Sequence, residues 1–353
     1  MHCPRLDHFV RINNTGKIGK CGHMTGAKEF ASFDDMQKSV WLTEIKKQME
    51  NNVWPKECVR CSMTEQTSNT SIRLDMIERD KILKPIKKNY LIVGGVLDNI
   101  CNSACQSCNP ELSTKIGRLN SKKFKKINNY DQFFSLPQDR IVEVDVNGGE
   151  PTVSPNYKKL LKNLPITTKI VRINTNGSRV ITEIEELLNK NLRVIVTLSF
   201  DGTKNIHDYT RWPINWKDYE KNIYKYVELR KMHKNLRLNF WTTVSCFNVG
   251  DMQNILDFAN AVSIDHAYGY CIQPWLLDIR YINQFTSEAK KKLISTKNKF
   301  LSAMADKCGS INIDNSKDLK YFIDAQDALR KINFQDYFNF NRNLSENFSA
   351  NNL

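Results

Sequence analysis

From residue 91 onward, short apolar runs alternate with stretches that have the apolar spacing of helices. The apolar runs cover residues 91–97, 141–146, 170–174, 192–200, 236–245 and 264–272, and helical candidates between them include 157–164, 181–190, 216–232 and 252–261. Six strands that alternate with helices predict an α/β fold whose parallel sheet curls into a barrel or partial barrel. In such folds the chemistry gathers at the carboxyl ends of the strands. The residues that follow each run are therefore the candidates for a functional site.

The two ends of the chain have other patterns. Residues 9–12 and 17–20 flank Asn-Asn-Thr-Gly and predict a β-hairpin with Gly16 at a positive φ, and a helix is predicted over 40–49. The last seventy residues are polar and helical over 286–307 and 317–331, and a tail rich in Asn and Phe follows from 334 to 353. We therefore predict three parts: an N-terminal unit (1–85), a barrel (86–285) and a helical C-terminal extension (286–353).

Three thiols follow the first apolar run directly. Cys101, Cys105 and Cys108 have the spacing C-x3-C-x2-C. Thiolates are soft ligands that hold iron–sulfur clusters, and a four-iron cluster normally takes four of them. Three local ligands therefore indicate a four-iron cluster with one iron left open. A zinc site, or reduced thiols in a loop, are the alternatives.

A second cysteine set lies in the N-terminal unit. It consists of Cys3, Cys21, Cys58 and Cys61. Two pairs of cysteines can form a four-thiolate site for either zinc or a fully ligated cluster, and the spacing leaves both open. A small unit with a thin core would gain folding energy from such a metal. The remaining thiols, Cys246, Cys271 and Cys308, are predicted to be buried structural cysteines.

Polar clusters follow four of the later strands. They occupy residues 147–151, 174–177, 199–211 and 242–248. The glycine pair at 148–149 permits close approach of a ligand to the backbone, and Glu150 could accept hydrogen bonds from an ammonium group. The guanidinium of Arg211 could bind a carboxylate through two parallel hydrogen bonds. Each cluster alone is ordinary loop chemistry, but their succession beside three thiols indicates a shared site.

Composition and charge set the broad class. With 353 residues, 41% of them hydrophobic, the chain can bury a sizeable core. We find no apolar run that could span a bilayer and no signal-peptide pattern at the start, so we expect a cytoplasmic protein whose ten cysteines are reduced. The net charge of +14 comes from scattered lysines with short clusters at 122–126 and 290–292. Such clusters are typical of solvated helix faces, and a nucleic-acid partner stays an alternative.

Taken together, these motifs resemble the radical S-adenosylmethionine (SAM) superfamily. The thiol triplet matches its signature, and residues 148–151 match the GGEP element that receives the SAM amino group. The resemblance implies a partial (β/α)6 TIM-like barrel, with a small N-terminal α+β cysteine-rich module and a helical C-terminal tail here. It also implies SAM contacts from Gly148, Gly149, Glu150, Asn174, Asn176, Ser199 and Arg211.

One subgroup of this superfamily is matched more closely. The run from Ser199 through Asp201 and Tyr209 to Arg211 resembles its S-x-D-G…Y-x-R sequence. That subgroup carries a SPASM or twitch module, and Cys3, Cys21, Cys58 and Cys61 resemble its ligands, as in twitch-domain proteins of phages and bacteria. The resemblance implies an auxiliary [4Fe-4S] cluster at these four thiols. Two departures are Ser107, where an aromatic residue is usual, and the lack of the module's further cysteines after Cys61.

The activity that this resemblance implies is reductive cleavage of SAM. An electron supplied through the [4Fe-4S] cluster, from a donor such as flavodoxin or ferredoxin, would release a 5′-deoxyadenosyl radical that abstracts hydrogen from a substrate. Relatives in the subgroup act on peptide or protein side chains, which we expect here. Oxidation of a small sugar or sugar alcohol, nucleic-acid modification, and a catalytically silent metal-binding interaction protein are the alternatives. The sequence identifies no catalytic acid or base.

Overall fold

The computed structural model describes residues 1–120 and 124–338, and these form one eight-stranded sheet surrounded by helices. The strands are β1 Phe9–Ile12, β2 Ile18–Gly19, β3 Leu91–Asp98, β4 Ile141–Gly148, β5 Ile170–Thr175, β6 Arg193–Ser199, β7 Leu236–Val244 and β8 Asp265–Tyr270. The helices are α1 Pro4–His8, α2 Phe33–Gln37, α3 Val40–Glu50, α4 Val59–Ser68, α5 Ile72–Leu83, α6 Thr114–Leu119, α7 Tyr130–Phe134, α8 Pro155–Lys162, α9 Ile184–Asn189, α10 Lys204–Thr210, α11 Trp216–Met232, α12 Met252–Ala261, α13 Gln284–Ser295, α14 Lys299–Lys307 and α15 Ser316–Arg330.

The sheet has the order β2-β1-β3-β4-β5-β6-β7-β8. Strands β3 to β8 are the six predicted apolar runs, and each pairs in parallel with the next one along the chain. Helices lie between them along the chain, as is usual for the crossovers that join parallel strands. The predicted α/β class with a barrel-like parallel sheet is confirmed.

The two faces of the sheet differ in chemistry. Alternate residues such as Val144, Val146 and Ile173 are fully buried in the main core, which the outer helices cover. The opposite face forms the inside of the curled sheet. There a second apolar cluster, with Ile92 and Ile195, closes one end. Because side chains alternate across a strand, Glu143, Asp145 and Arg172 point to this inner face, which we call the lumen.

The N-terminal unit joins the same sheet. β1 and β2 form the predicted hairpin, and Gly16 has a φ of +82° as expected. β1 then pairs in parallel with β3, with Ile12 opposite Gly95. The unit also has its own apolar core, built on the predicted helix α3 and including Leu42. The division at residue 85 stays a prediction.

The C-terminal extension is helical as predicted. The stretch 286–307 forms two helices, α13 and α14, since the Asn298 side chain accepts the backbone N–H of Phe300 at 2.9 Å and starts a new helix. The predicted helix at 317–331 is α15. The tail prediction for 334–353 falls largely on residues 339–353, which lie outside the described part. Across residues 1–120 and 124–338, no helix combines the length and apolar character needed to cross a membrane.

Candidate functional site

The thiol triplet lies in the loop that follows β3, residues 98–110, which we call the cysteine loop. Backbone hydrogen bonds tie this loop to the segment after α10. Ala104 N–H donates to Trp212 O at 2.7 Å, and Gln106 N–H donates to Thr210 O at 3.0 Å. The loop is therefore held against the end of the fourth β/α unit of the barrel.

A buried carboxylate fixes the start of the cysteine loop. Asp98 is 2% exposed and accepts the backbone N–H of Ile100 at 3.0 Å. Its second oxygen accepts hydrogen bonds from the Ser154 hydroxyl and, at 3.1 Å, from the Asn156 amide. Burial raises the pKa of Asp98, although these three hydrogen bonds oppose the shift. The loop thus begins from a rigid anchor at the end of β3.

The three thiols are close enough to influence one another. Burial, then the neighbouring Cys105 and Cys101, raise the pKa of Cys108 to about 12, and burial with Cys105 also raises that of Cys101. Cys101 Sγ lies 3.3 Å from the Ser103 hydroxyl, and Arg211 Nη1 donates to Cys105 Sγ at 3.4 Å. N–H and O–H donors beside these thiols suit a cluster, because bound thiolates are deprotonated and accept such hydrogen bonds.

Gly148 and Gly149 bring the end of β4 against the cysteine loop. A Cβ on Gly148 would lie 2.0 Å from Asp98 O, and one on Gly149 would lie 1.9 Å from Ile100 O. Gly149 and Glu150 N–H groups donate to these same carbonyls at 2.9 and 2.7 Å. The close approach that the glycines permit is thus to the backbone of the cysteine loop, which only residues without a side chain allow.

Glu150 is 1% exposed and joins the ends of two strands. Its carboxylate accepts hydrogen bonds from Asn176 N–H and the Thr175 hydroxyl, both at 2.7 Å, and from Thr152 N–H at 3.0 Å. Burial raises its pKa, while these donors oppose the shift. Both carboxylate oxygens are engaged, so Glu150 orders the loop after β5.

The other predicted SAM contacts gather around the cysteine loop to different degrees. Asn176 donates to Asn102 Oδ1 at 2.8 Å and so touches the loop directly. Arg211 contacts Cys105 Sγ and pairs through Nε with Asp201 Oδ2 at 2.9 Å. Burial lowers the pKa of Arg211, but Asp201 and Cys105 outweigh it and the pKa is raised. Asn174 is exposed on the inner face of β5, and Ser199 lies half-buried at the end of β6.

The second cysteine set also comes together. One small cavity is lined by all four of Cys3, Cys21, Cys58 and Cys61, with Arg5, His23 and Arg73 beside them. Burial, with the neighbouring thiols, raises the pKa of Cys3 to about 11 and that of Cys58 to about 12. A bound metal would offset the free-energy cost of ionising these buried thiols, since it binds the thiolate form. The four residue types are those of a four-thiolate site, although their side chains are not placed closely enough to hold a single metal ion.

Three cysteines belong to neither set, and single-ion sites are absent from the described part of the chain. Within the described ranges, no group of three or more His, Cys, Asp or Glu side chains is placed so that it could hold a metal ion. Cys246, Cys271 and Cys308 are all buried, as predicted.

The lumen carries a charged group that the sequence analysis did not single out. Glu143 Oε1 accepts hydrogen bonds from both Arg79 and Arg172, while Glu143 Oε2 is buried without a hydrogen bond. Two residues along the inner face of β4, the Asp145 carboxylate has no hydrogen-bond or ion-pair partner among residues 1–120 and 124–338. Burial, then the charge of Glu143, raises its pKa to about 6.

Helix α5 links the lumen to the four-cysteine cavity. Arg73, near its start, lines the cavity, and Arg79, less than two turns later, reaches Glu143 in the lumen. Arg5 also lines the cavity, and its guanidinium stacks on Phe9 with 3.6 Å between the carbon and the ring centre. The alternation on β4 could have indicated Asp145 and Glu143, but no local pattern points to Arg5 or Arg79 as neighbours of a site.

Comparisons with known proteins give a short sequence match. No family model matches the chain. Mycofactocin maturase MftC of Mycobacterium tuberculosis is 30% identical over 113 residues, which is 31% of this chain and 28% of that protein. The match thus spans less than a third of the length of the curated relative.

Solved structures overlap with the chain only loosely. The structure of anSMEcpe with bound AdoMet matches with a TM-score of 0.39 and 17% identity. The match covers 69% of this chain and 62% of the anSMEcpe chain. Streptococcus suis SuiB bound to precursor peptide SuiA has a TM-score of 0.40 and 14% identity, with coverages of 82% and 69%. Scores at this level do not assign a function.

The motifs and the fold agree with each other. The triplet follows the first of six barrel strands, and the glycine pair follows the second and contacts the cysteine loop. The chain resembles the radical SAM superfamily in these motifs, in their order and in its α/β sheet.

Proposed function

We propose that the chain is a radical SAM enzyme that modifies a peptide or protein side chain. The observation that carries the proposal is the cysteine loop itself. Three neighbouring thiols follow the first barrel strand, with Cys105 buried and Cys101 and Cys108 half-buried. Arg211 donates to Cys105, and the Gly149 and Glu150 N–H groups fasten the loop to the second strand. Ordered donors around clustered thiols are what a cluster site requires.

Within this proposal, Cys101, Cys105 and Cys108 would hold a [4Fe-4S] cluster. When bound, the cluster supplies the electron for reductive cleavage of SAM. The chain's own task is to hold the cofactor in place. We assign SAM contacts to Gly148, Gly149, Glu150, Asn174, Asn176, Ser199 and Arg211.

We further propose an auxiliary [4Fe-4S] cluster at the four-cysteine cavity, with zinc as the alternative metal. Residues Cys3, Cys21, Cys58 and Cys61 would each give one thiolate, which completes the ligand set of a four-iron cluster. Arg5 at the cavity wall would offset part of the negative charge of four thiolates, whereas Arg73 at the same wall is already paired with Glu65. A small redox protein such as flavodoxin or ferredoxin would supply electrons.

The substrate is proposed to enter the lumen beside the cysteine loop. The lumen wall offers Asp145, whose carboxylate has no protein partner among the described residues, and the exposed ring of Trp241 on β7. An unpaired carboxylate and an exposed aromatic ring favour a polar substrate that donates hydrogen bonds. The subgroup resemblance, together with the maturase match, favours a peptide over a sugar or a nucleic acid.

A SAM-cleavage assay tests the chemistry. We expect the anaerobically reconstituted protein with a reductant to form 5′-deoxyadenosine, and the Cys101→Ala/Cys105→Ala/Cys108→Ala variant to lose this product. The matched control is Cys246→Ala/Cys271→Ala/Cys308→Ala, which removes three other buried thiols and should keep the product. If the wild type forms no 5′-deoxyadenosine under reducing conditions, the proposal is wrong.

Deuterium transfer tests the substrate class. Deuterated cell extract is separated into peptide, protein, sugar and RNA fractions, and each is incubated with the enzyme and SAM. We expect deuterium in 5′-deoxyadenosine from the peptide or protein fraction. Deuterium from the sugar or RNA fraction alone would replace the peptide assignment with that class.

A further inference from the structure

Arg330, the last residue of α15, reaches into the cysteine loop from the far end of the chain. Its Nε and Nη2 donate to Ala104 O at 3.0 and 2.8 Å, and Nη2 also donates to Cys105 O at 3.5 Å. The remaining N–H groups donate to the backbone and side chain of Gln326 at 3.2 and 2.6 Å. A guanidinium with such fixed geometry holds its acceptors more firmly than a flexible ammonium group would.

The charge of Arg330 is buried without an ion pair. The residue is 5% exposed, and among residues 1–120 and 124–338 every hydrogen bond it donates goes to an uncharged oxygen. Burying a cation is costly unless a negative charge offsets it. The Asp327 carboxylate on the same helix and the thiols of Cys105 and Cys108 all lie close enough to influence Arg330. As bound thiolates, Cys105 and Cys108 would add to the negative charge that Asp327 supplies.

Hydrogen bonds to Asp327 fix the end of α15, which carries Arg330. Asp327 accepts the Tyr209 hydroxyl at 3.0 Å and the backbone N–H of Phe334 at 2.7 Å. Tyr209 belongs to α10, next to the segment whose Trp212 carbonyl receives Ala104 N–H. The Ala104 residue is therefore held on both sides, by its N–H from the barrel and by its carbonyl from the extension.

We propose that Arg330 is a positioning residue for the cluster, which fixes the Ala104–Cys105 backbone and places a positive charge beside the Cys105 thiolate. The inference rests on the proposed function, because it assumes the cluster at the triplet. A nearby cation favours the reduced, more negative cluster. Loss of the charge should therefore make the cluster harder to reduce, and a loosened loop should bind it less well.

Three variants separate these effects. Arg330→Met removes both the charge and the hydrogen bonds. Arg330→Lys keeps the charge but loses the guanidinium, and with it the paired hydrogen bonds to Ala104 O. Arg230→Met is the matched control, because Arg230 also lies in the last turn of a helix and donates to two backbone carbonyls, Ser263 O at 2.7 Å and Val262 O at 3.0 Å. Thermal melting of each variant shows whether it folds.

Two measurements test the proposal, one of them without metal. In the apo-protein, hydrogen exchange at the amides of Ala104 and Gln106 should be at least about tenfold faster in Arg330→Met than in the wild type. In the reconstituted protein, a redox titration should give a lower potential for Arg330→Met, by about 59 mV if the reduction equilibrium changes tenfold. Arg330→Lys should keep a potential near that of the wild type, and Arg230→Met should change neither quantity.

Unchanged exchange and potential in Arg330→Met would overturn the inference, and so would equal shifts in Arg230→Met. If Arg330→Met does not fold, the same exchange measurement on Arg330→Lys tests the inference. A cysteine loop held by the guanidinium should exchange faster in Arg330→Lys than in the wild type, and unchanged exchange would overturn the inference. Failure of the proposed function has a different signature, because the wild type would then bind no cluster and form no 5′-deoxyadenosine.

Discussion

At the scale of single residues, buried carboxylates at strand ends organise the site. Glu150 follows β4 and accepts the N–H of Asn176 beyond β5, and Asp201 follows β6 and accepts the N–H of Thr243 on β7 at 2.7 Å. A buried carboxylate that accepts backbone N–H groups orders the backbone that donates them. The loops that would contact a cofactor are therefore prearranged by residues that contact each other.

Asp145, a half-buried carboxylate within β4, differs from Glu150 and Asp201 because it has no partner among residues 1–120 and 124–338. Burial raises its pKa from 3.8 to about 6, so the folded protein holds the protonated form more tightly than the unfolded chain does. The stability that this group provides is therefore present at low pH and is lost as the pH rises through about 6. The charged form is the one that the lumen tolerates poorly.

We predict that Asp145→Asn stabilises the protein at pH 8 by up to about 3 kcal/mol and by clearly less at pH 5, because two pKa units correspond to roughly 2.7 kcal/mol. Urea denaturation at both pH values measures the difference. Asp139→Asn, at an exposed carboxylate just before β4, is the control for the loss of one charge. Equal gains at pH 5 and pH 8, or the same pattern in the control, would contradict the prediction.

At the scale of elements, one sheet connects the two cysteine sets. β1 begins six residues after Cys3 and pairs in parallel with β3, which leads into the cysteine loop. Helix α5 adds a second link, because it passes from the four-cysteine cavity to Glu143 in the lumen. The N-terminal unit thus contributes a strand to the sheet as well as a site of its own.

Gly95 on β3 lies opposite Ile12 on β1, at the end of the pairing between these two strands. Its φ is +108°, and a Cβ there would lie 2.0 Å from Ile12 O. We predict that Gly95→Ala destabilises the protein by more than about 3 kcal/mol, since the backbone conformation is strained and the strands must separate. The free energy of unfolding measures the effect.

Gly250→Ala is the matched control for that prediction. Gly250 has no positive φ, and a Cβ there would lie 3.5 Å from the nearest atom, which is an ordinary contact. We expect it to change the free energy of unfolding by less than about 1 kcal/mol. A similar loss in both variants would show that the pairing of β1 with β3 is not the cause.

At the scale of the whole molecule, two separate thiol sites predict two separate metal loads. After anaerobic reconstitution we expect about eight irons per chain if both sites hold four-iron clusters. The Cys58→Ala/Cys61→Ala variant and the Cys101→Ala/Cys105→Ala/Cys108→Ala variant should each retain about four. Iron analysis with visible absorption spectra provides the measurement.

Cys308→Ala is the control for the metal analysis, because this buried thiol lies in the C-terminal extension, outside both sets. It should keep the full iron content. One zinc ion with about four irons per chain would show that the N-terminal site holds zinc, and the auxiliary cluster proposed there would then be wrong.

The amino-acid sequence by itself determined the local features of this protein. The six apolar runs became strands β3 to β8, and the helices α11 and α12 have the predicted bounds. Strand alternation, helix periodicity and the ligand spacing of the cysteines are all set by neighbours along the chain, so a single sequence reveals them. The same holds for the hairpin at Gly16, whose positive φ follows from its residue type.

Only the tertiary structure decided which distant groups meet. Arg330 contacts Ala104 across 226 positions of the chain, and Arg79 contacts Glu143 across 64. The addition of β1 to the parallel sheet is of the same kind. No local pattern encodes these contacts, because they arise when packing brings separate elements together and buried charges must find partners. The thiols are marked by their spacing, whereas the residues that hold them in place are marked only by the fold.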